Sequence, residues 1–315
     1  MKKSTIIVLV ILSLVFLSLI AIIVIGLSAP ATNIIEPGNI IAFIPLSGTI
    51  AEDIDSSVFS AGVGITPKFV RHRLEEAEDN PNVKAIILKI NSPGGSVGAS
   101  QEIAELIQEA DKPIIVFAGD IIASGAYYIA SKADRIVAKP GSLVGSIGVI
   151  SQIPDLSGLY AKLGIKMQTI KSGKNKDMFG RTLTPEEQKK FQALSDELYN
   201  QFVDDVAKGR QLSKKKVLQL ATGEVFPATV AKKLGLIDKV GGYQTAIDEA
   251  AKLAKIKNPV VQEYKPPSLI EELFDMPSIN IFSLIRMQLL GRDFMLLESI
   301  RNMYAVPQYR YLGGH

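Results

Sequence analysis

Residues 83–109 read VKAIILKINSPGGSVGASQEIAELIQE, and the order of patterns within them decides the fold. Val83–Ile90 is a short, nearly continuous apolar run, the signature of a strand buried on both faces. Asn91-Ser92-Pro93-Gly94-Gly95-Ser96 breaks that run with turn residues. Ser100–Glu109 resumes at helical spacing. Strand, turn and helix in this order begin a crossover unit, the connection that parallel strands require.

The same alternation extends in both directions. Upstream, Ile40–Pro45 reads as a strand and Lys68–Glu78 as a helix. Downstream, Ile114–Ala118, Arg135–Ala138 and Lys166–Ile170 read as strands, and Leu156–Leu163 as a helix. Longer helical patterns follow at Pro185–Lys208, Lys214–Ala221, Pro227–Leu234 and Tyr243–Leu253. Such alternation predicts an α/β domain with mainly parallel pairing.

The ends of the chain differ from this body. Lys2 and Lys3 precede an uncharged apolar run from Ile6 to Leu27, and no Lys or Arg follows until Lys68. A bilayer core takes about 20 helical residues, so the run is long enough to span one. The charge bias puts the amino terminus in the cytoplasm and the rest of the chain outside. The expected organisation is a cytoplasmic start and transmembrane anchor over 1–28, with a signal peptide cleaved near Ala29-Pro30-Ala31 as the alternative, a linker over 29–38, the α/β domain over 39–262 and a C-terminal segment over 263–315. In that last segment Ile279–Met303 is apolar but broken by Arg286, Arg292, Asp293 and Glu298. It reads as a helix docked on the body or a neighbouring copy, or lying at the lipid surface.

Composition removes several chemistries. The 315 residues include no cysteine and two histidines, His72 and His315. Disulfides, thiol nucleophiles and thiolate metal sites are excluded, and a zinc site is disfavoured. A net charge of +3 without a basic run gives nucleic-acid binding no support. His72, beside Arg71 and Arg73, reads as part of a solvated helix face, and Glu52, Asp53 and Asp55 as a solvated acidic turn. No cofactor and no metal is expected, so hydrolytic chemistry would rest on hydroxyls, lysines or carboxylates.

Three segments could carry such chemistry. The paired glycines of the Asn91–Ser96 turn let a backbone approach a ligand closely and point N–H groups at it. Ile122-Ala123-Ser124-Gly125-Ala126-Tyr127-Tyr128 places a serine after a strand at a helix start, with an exposed hydroxyl expected. Lys171-Ser172-Gly173-Lys174-Asn175-Lys176-Asp177 supplies amines. A lysine serves as a base only when uncharged, which calls for desolvation. Taken singly, each segment also suits a plain turn, a helix cap and a solvated basic loop.

Taken together they resemble the signal peptide peptidase family of membrane proteases, peptidase family S49, in its short single-repeat form. The resemblance runs from about Ile40 to Leu253. It rests on the Ser92–Gly95 turn, Ala123–Ala130, Gly145–Val149, Ser172–Asp177, Gly223–Phe226 and Ala231–Asp238. It implies a Clp-protease/crotonase-like α/β domain and a Ser-Lys dyad. Carried over residue by residue, the nucleophile is Ser124, the general base Lys176, and the serine orienting the lysine Ser146. The oxyanion donors are the N–H groups of Gly95 and Gly125. Ala126 stands where the family often has glycine.

The resemblance further implies a single-pass membrane endopeptidase that degrades signal-peptide remnants and other membrane-proximal or unfolded peptides. It implies a ring-like homo-oligomer, with lipid contact through residues 4–28 and the catalytic domain outside the cell membrane. Alternatives are a related protease acting on a stomatin-like partner, a crotonase-type acyl-CoA enzyme, and a non-catalytic membrane scaffold. The tail Tyr309–Gly314 could lie free or in the active-site groove.

Overall fold

The computed structural model describes residues 38–53 and 64–264, together with Phe16 and the backbone of residues 308–310. The expected membrane span Ile6–Leu27, Asp55, the expected helix Ile279–Met303 and His315 lie outside them, apart from Phe16. Among the described residues no helix is long and apolar enough to cross a membrane.

The frame is a parallel sheet. Strands β1 (Ile40–Ser47), β4 (Val83–Ser92), β6 (Ile114–Ala123) and β7 (Arg135–Ala138) lie side by side, flanked by β11 (Val260–Glu263) and β10 (Lys239–Val240). These strands all pair in parallel. Beyond its middle, β6 also pairs with β8 (Leu143–Gly145), which takes β9 (Val225–Pro227) antiparallel.

Both faces of the sheet are covered, which is why its strands read as unbroken apolar runs. On one side Ile86, Leu88, Ile90 and Val116 join a core cluster. Helices α1 (Pro67–Asp79) and α2 (Val97–Glu109) close over it with Val70, Leu74, Ile103 and Ile107. On the other, Ile41, Phe43, Ala85, Ile87 and Ile115 pack against Ala246, Ile247 and Ala250 of a C-terminal helix over Tyr243–Ala254. The side-chain period of two sorts one strand into two cores.

A second, smaller sheet stands at the end of the first. Its strands are β2 (Thr49–Ile50), β3 (Gly64–Ile65), β5 (Gly94–Ser96) and β12 (Gln308–Arg310). Thus the glycine turn after β4 is itself a short strand.

The helices past β6 are α3 (Gly125–Ala130), α4 (Ser157–Lys162), α5 (Pro185–Gly209), α6 (Lys214–Leu220) and α7 (Ala228–Leu234), and the helix over Tyr243–Ala254 is α8. Between β8 and α5 the chain leaves the core. Residues 165–170 form no strand, which corrects the reading of Lys166–Ile170. Its β-like composition finds no edge to pair with among the described residues, and Ile170 is 97% exposed. A capping box starts α5: Thr184 accepts from the N–H of Glu187, whose carboxylate accepts from the Thr184 N–H at 2.9 Å.

Candidate active site

Ser124 sits where β6 turns into α3. Its backbone has φ 56° and ψ −122°, a conformation that L residues rarely adopt and that must be held by surrounding contacts. Those contacts are present. The Ser124 N–H donates to the Gly145 carbonyl at 2.8 Å, and Tyr128 N–H donates to the Ser124 carbonyl at 2.9 Å. All six residues of α3 are buried. Behind it the Tyr127 hydroxyl donates to the Leu236 carbonyl at 2.8 Å. The Tyr128 hydroxyl and the Lys132 ammonium both donate to Asp205 of α5, at 2.5 Å each. The exposed hydroxyl expected from sequence is not found. Ser124 is 1% exposed, and its Oγ has no hydrogen-bond partner among the described residues. A buried polar atom without a partner is costly, and in a fold this well packed it points to function.

The turn bearing Gly95 is brought to the same place by register. Ser92 pairs with Ile122, two residues before Ser124. The Ser92 hydroxyl accepts from Gly94 N–H at 3.1 Å and shapes the turn. Gly94 takes φ 99°. A Cβ on Gly95 would fall 1.9 Å from the Ile50 carbonyl oxygen, so only glycine lets β5 lie against β2. Sequence reading passed over Asn91 as part of this site. Its Oδ1 accepts from the N–H groups of Asp120 at 2.9 Å and Ile121 at 3.1 Å, locking β4 to β6.

Ser146 arrives the same way. Ala123 pairs with Gly145, so Ser124 and Ser146 are the next residues out on adjacent strands. Ser146 is buried, takes φ 52° and donates its N–H to the Glu224 carbonyl at 2.7 Å. Gly95, Ser124, Gly125 and Ser146 therefore meet at the C-terminal ends of neighbouring parallel strands, where open α/β sheets place their sites. The backbone of Gln308–Arg310 runs antiparallel beside Gly94–Ser96, as an added peptide strand would.

Lys176 is not among them. It lies on the arm between β8 and α5 and is exposed. It is also singled out by charge. Between residues 171 and 187 stand the cations Lys171, Lys174, Lys176 and Arg181 and the carboxylates Asp177, Glu186 and Glu187. Lys171 pairs with Asp177, Lys174 with Glu186 at 2.8 Å, and Arg181 with Glu187 at 2.9 Å. Lys176 alone of these has no ion pair among the described residues.

Helix α5 is contacted near one end by the arm and near the other by α3. Lys174, two residues before Lys176, holds Glu186 in the first turn of α5, while Tyr128 of α3 holds Asp205 near its end. At 1.5 Å of rise per residue those anchor points are about 28 Å apart. The Ser124 hydroxyl makes no hydrogen bond to Lys176 within one copy, and the desolvation expected of the lysine is absent there.

Comparison with known proteins extends this picture. Residues 107–257 match Peptidase family S49, and residues 67–142 match Clp protease, in accord with the parallel sheet and the crossover helices. A Methanocaldococcus jannaschii protein whose name proposes a protease is 37% identical over 83% of this chain and 86% of its own length. An Enterococcus faecium protein whose name proposes a signal peptide peptidase is 36% identical over 70% of this chain and 66% of its own. Protease 4 of Salmonella typhi is 34% identical over 86% of this chain, which spans 42% of that longer protein.

Proposed function

This chain belongs to peptidase family S49, a serine endopeptidase by that membership, and on that premise we propose a membrane-anchored enzyme whose Ser124–Lys176 dyad closes between neighbouring copies. One observation carries the proposal. Among the described residues the buried Ser124 hydroxyl has no hydrogen-bond partner, and the exposed Lys176 has no ion pair. On this reading each is half of a proton-transfer pair, the serine at the end of β6 and the lysine on the arm before α5.

The arm suits docking on a second copy. Leu159, Leu163, Met167, Ile170 and Phe179 are all more than half exposed, from 52% to 97%, in a stretch that the core leaves uncovered. Covering it would dry the lysine as well as deliver it.

In the proposed reaction, uncharged Lys176 of one copy takes the Ser124 proton of the next, and Oγ attacks the peptide carbonyl. The N–H groups of Gly95 and Gly125 stabilise the oxyanion. The resulting ammonium protonates the leaving amine, and water then resolves the acyl-enzyme with the lysine again as base. Ser146 orients the amine without adding a charge. The substrate strand adds to β5, where residues 308–310 now pair.

Signal-peptide remnants are the proposed substrates, in keeping with the Enterococcus faecium relative's name. The apolar run at the amino terminus would hold the site near them.

The test is complementation. Ser124→Ala and Lys176→Ala should each be inactive alone. Mixed and reassembled in equal amounts, they should regain roughly a quarter of wild-type activity, because a head-to-tail ring pairs an intact serine with an intact lysine at that frequency. Inactivity of every mixture would overturn the shared site, and full activity of either single variant would overturn the dyad.

A further inference from the structure

Asp177 follows directly in the chain after Lys176, the residue whose amine has to act uncharged. A carboxylate beside an amine favours the ammonium form and would disable a base. The structure turns this carboxylate away. Lys171 Nζ donates to Asp177 Oδ1, and Arg181 Nη2 donates to the same oxygen at 3.3 Å. Both cations are fixed in turn. Lys171 also donates to the Lys174 carbonyl at 3.0 Å. Arg181 is clamped on Glu187 through two hydrogen bonds of 2.9 and 3.0 Å. Glu186, in the first turn of α5, is shared by Lys174 and Lys190. Asp155 is engaged by Ser157 and Thr182.

We infer that Lys171 and Arg181 are positioning residues that hold the Asp177 carboxylate off Lys176 and so keep the base available near neutral pH. This rests on Lys176 being the base. The hydrogen bond from Lys171 is the main reason the Asp177 carboxyl is held below its usual range, so it stays charged and needs a standing partner. Arg181 alone does not suffice, because its better-placed contacts go to Glu187. Nothing else on the arm supplies a cation to Asp177 among the described residues.

The test is the pH dependence of kcat/KM for the full-length protein in detergent. Four forms are compared: wild type, Lys171→Met, Asp177→Asn and the double variant. Lys171→Met removes the first of the two cations from Asp177 and leaves Arg181 on Glu187. Its acidic limb should move toward alkaline pH by about one unit. In the Asp177→Asn background the same replacement should move the limb far less, because no carboxylate is left to release. Coincident limbs in wild type and Lys171→Met would overturn the inference. An equal shift in both backgrounds would also overturn it, assigning the effect to the lost lysine charge alone.

Lys176→Ala run in parallel keeps the two questions apart. Activity in that variant defeats the base assignment. Its inactivity, combined with an unmoved Lys171→Met profile, defeats only the role of the ion pairs. A collapsed arm would lower activity at every pH without moving the limb, which also counts against the inference.

Discussion

The Asn91 side chain occupies the space that Gly119 leaves on the neighbouring strand: a Cβ on Gly119 would stand 2.6 Å from Asn91 Cβ. This close fit lets Asn91 reach the N–H groups of Asp120 and Ile121, which precede the turn at Ser124.

Gly119→Ala should therefore push Asn91 off those groups. We expect a loss of about 1–3 kcal/mol in stability, from overpacking and lost hydrogen bonds. A fall in kcat should exceed any change in KM. Thermal unfolding and steady-state kinetics check this, and a variant with unchanged kcat would show that the lock has no bearing on the nucleophile.

Gly95→Ala brings its methyl group into the Ile50 carbonyl oxygen. The strand must shift, and with it the N–H proposed for the oxyanion. A loss of about 10²–10³-fold in kcat is expected, the usual cost of one such donor. Rates of labelling by a serine-reactive phosphonate would follow the same loss.

Lys112 provides a test remote from the site. Its ammonium donates to the carbonyls of Ala77, Glu78 and Asn80 at 2.8, 2.7 and 2.8 Å, closing the C-terminal end of α1. Lys112→Met should cost about 1–2 kcal/mol by uncapping those carbonyls and removing a cation from the negative end of the helix dipole. Activity well below the melting temperature should not change.

Acid should loosen the arm before the body. Glu187 is held down to about 2 by the Arg181 guanidinium, then by the Thr184 N–H. Asp155 is held down to about 2 by Ser157, then by Thr182. Both carboxyls bind protons less readily folded than unfolded. Their stabilisation is whole above the ordinary carboxylate range and is lost as pH falls toward 2. Pepsin cleavage within residues 155–184 should therefore rise between about pH 4 and pH 2. The parallel sheet should stay protected, and even cleavage across the chain would contradict this.

The sheet was legible because β4 and β6 are buried on both faces and read as apolar runs. Lys166–Ile170 shows where that reasoning stops. Its residues suit a strand, but a strand also needs an edge, and pattern alone does not reveal whether one is near. Ser124, Gly95 and Ser146 were legible as motif positions, and the strand register explains their meeting. The covering of the Ser124 hydroxyl was not, since it depends on all of α3 sinking into the core. Nor was the role of Asn91, a turn residue by composition whose partners lie 29 and 30 positions away. The pairing of Lys171 with Asp177 and of Lys174 with Glu186 depends on how the arm folds back, which local pattern does not encode.

Helix α5 has one more consequence. As an unbroken 25-residue helix it is stiff, and flexing of the arm cannot shorten the span between its anchor points. On the proposed sharing of the site, a newly made copy would stay harmless to its surroundings until it finds company.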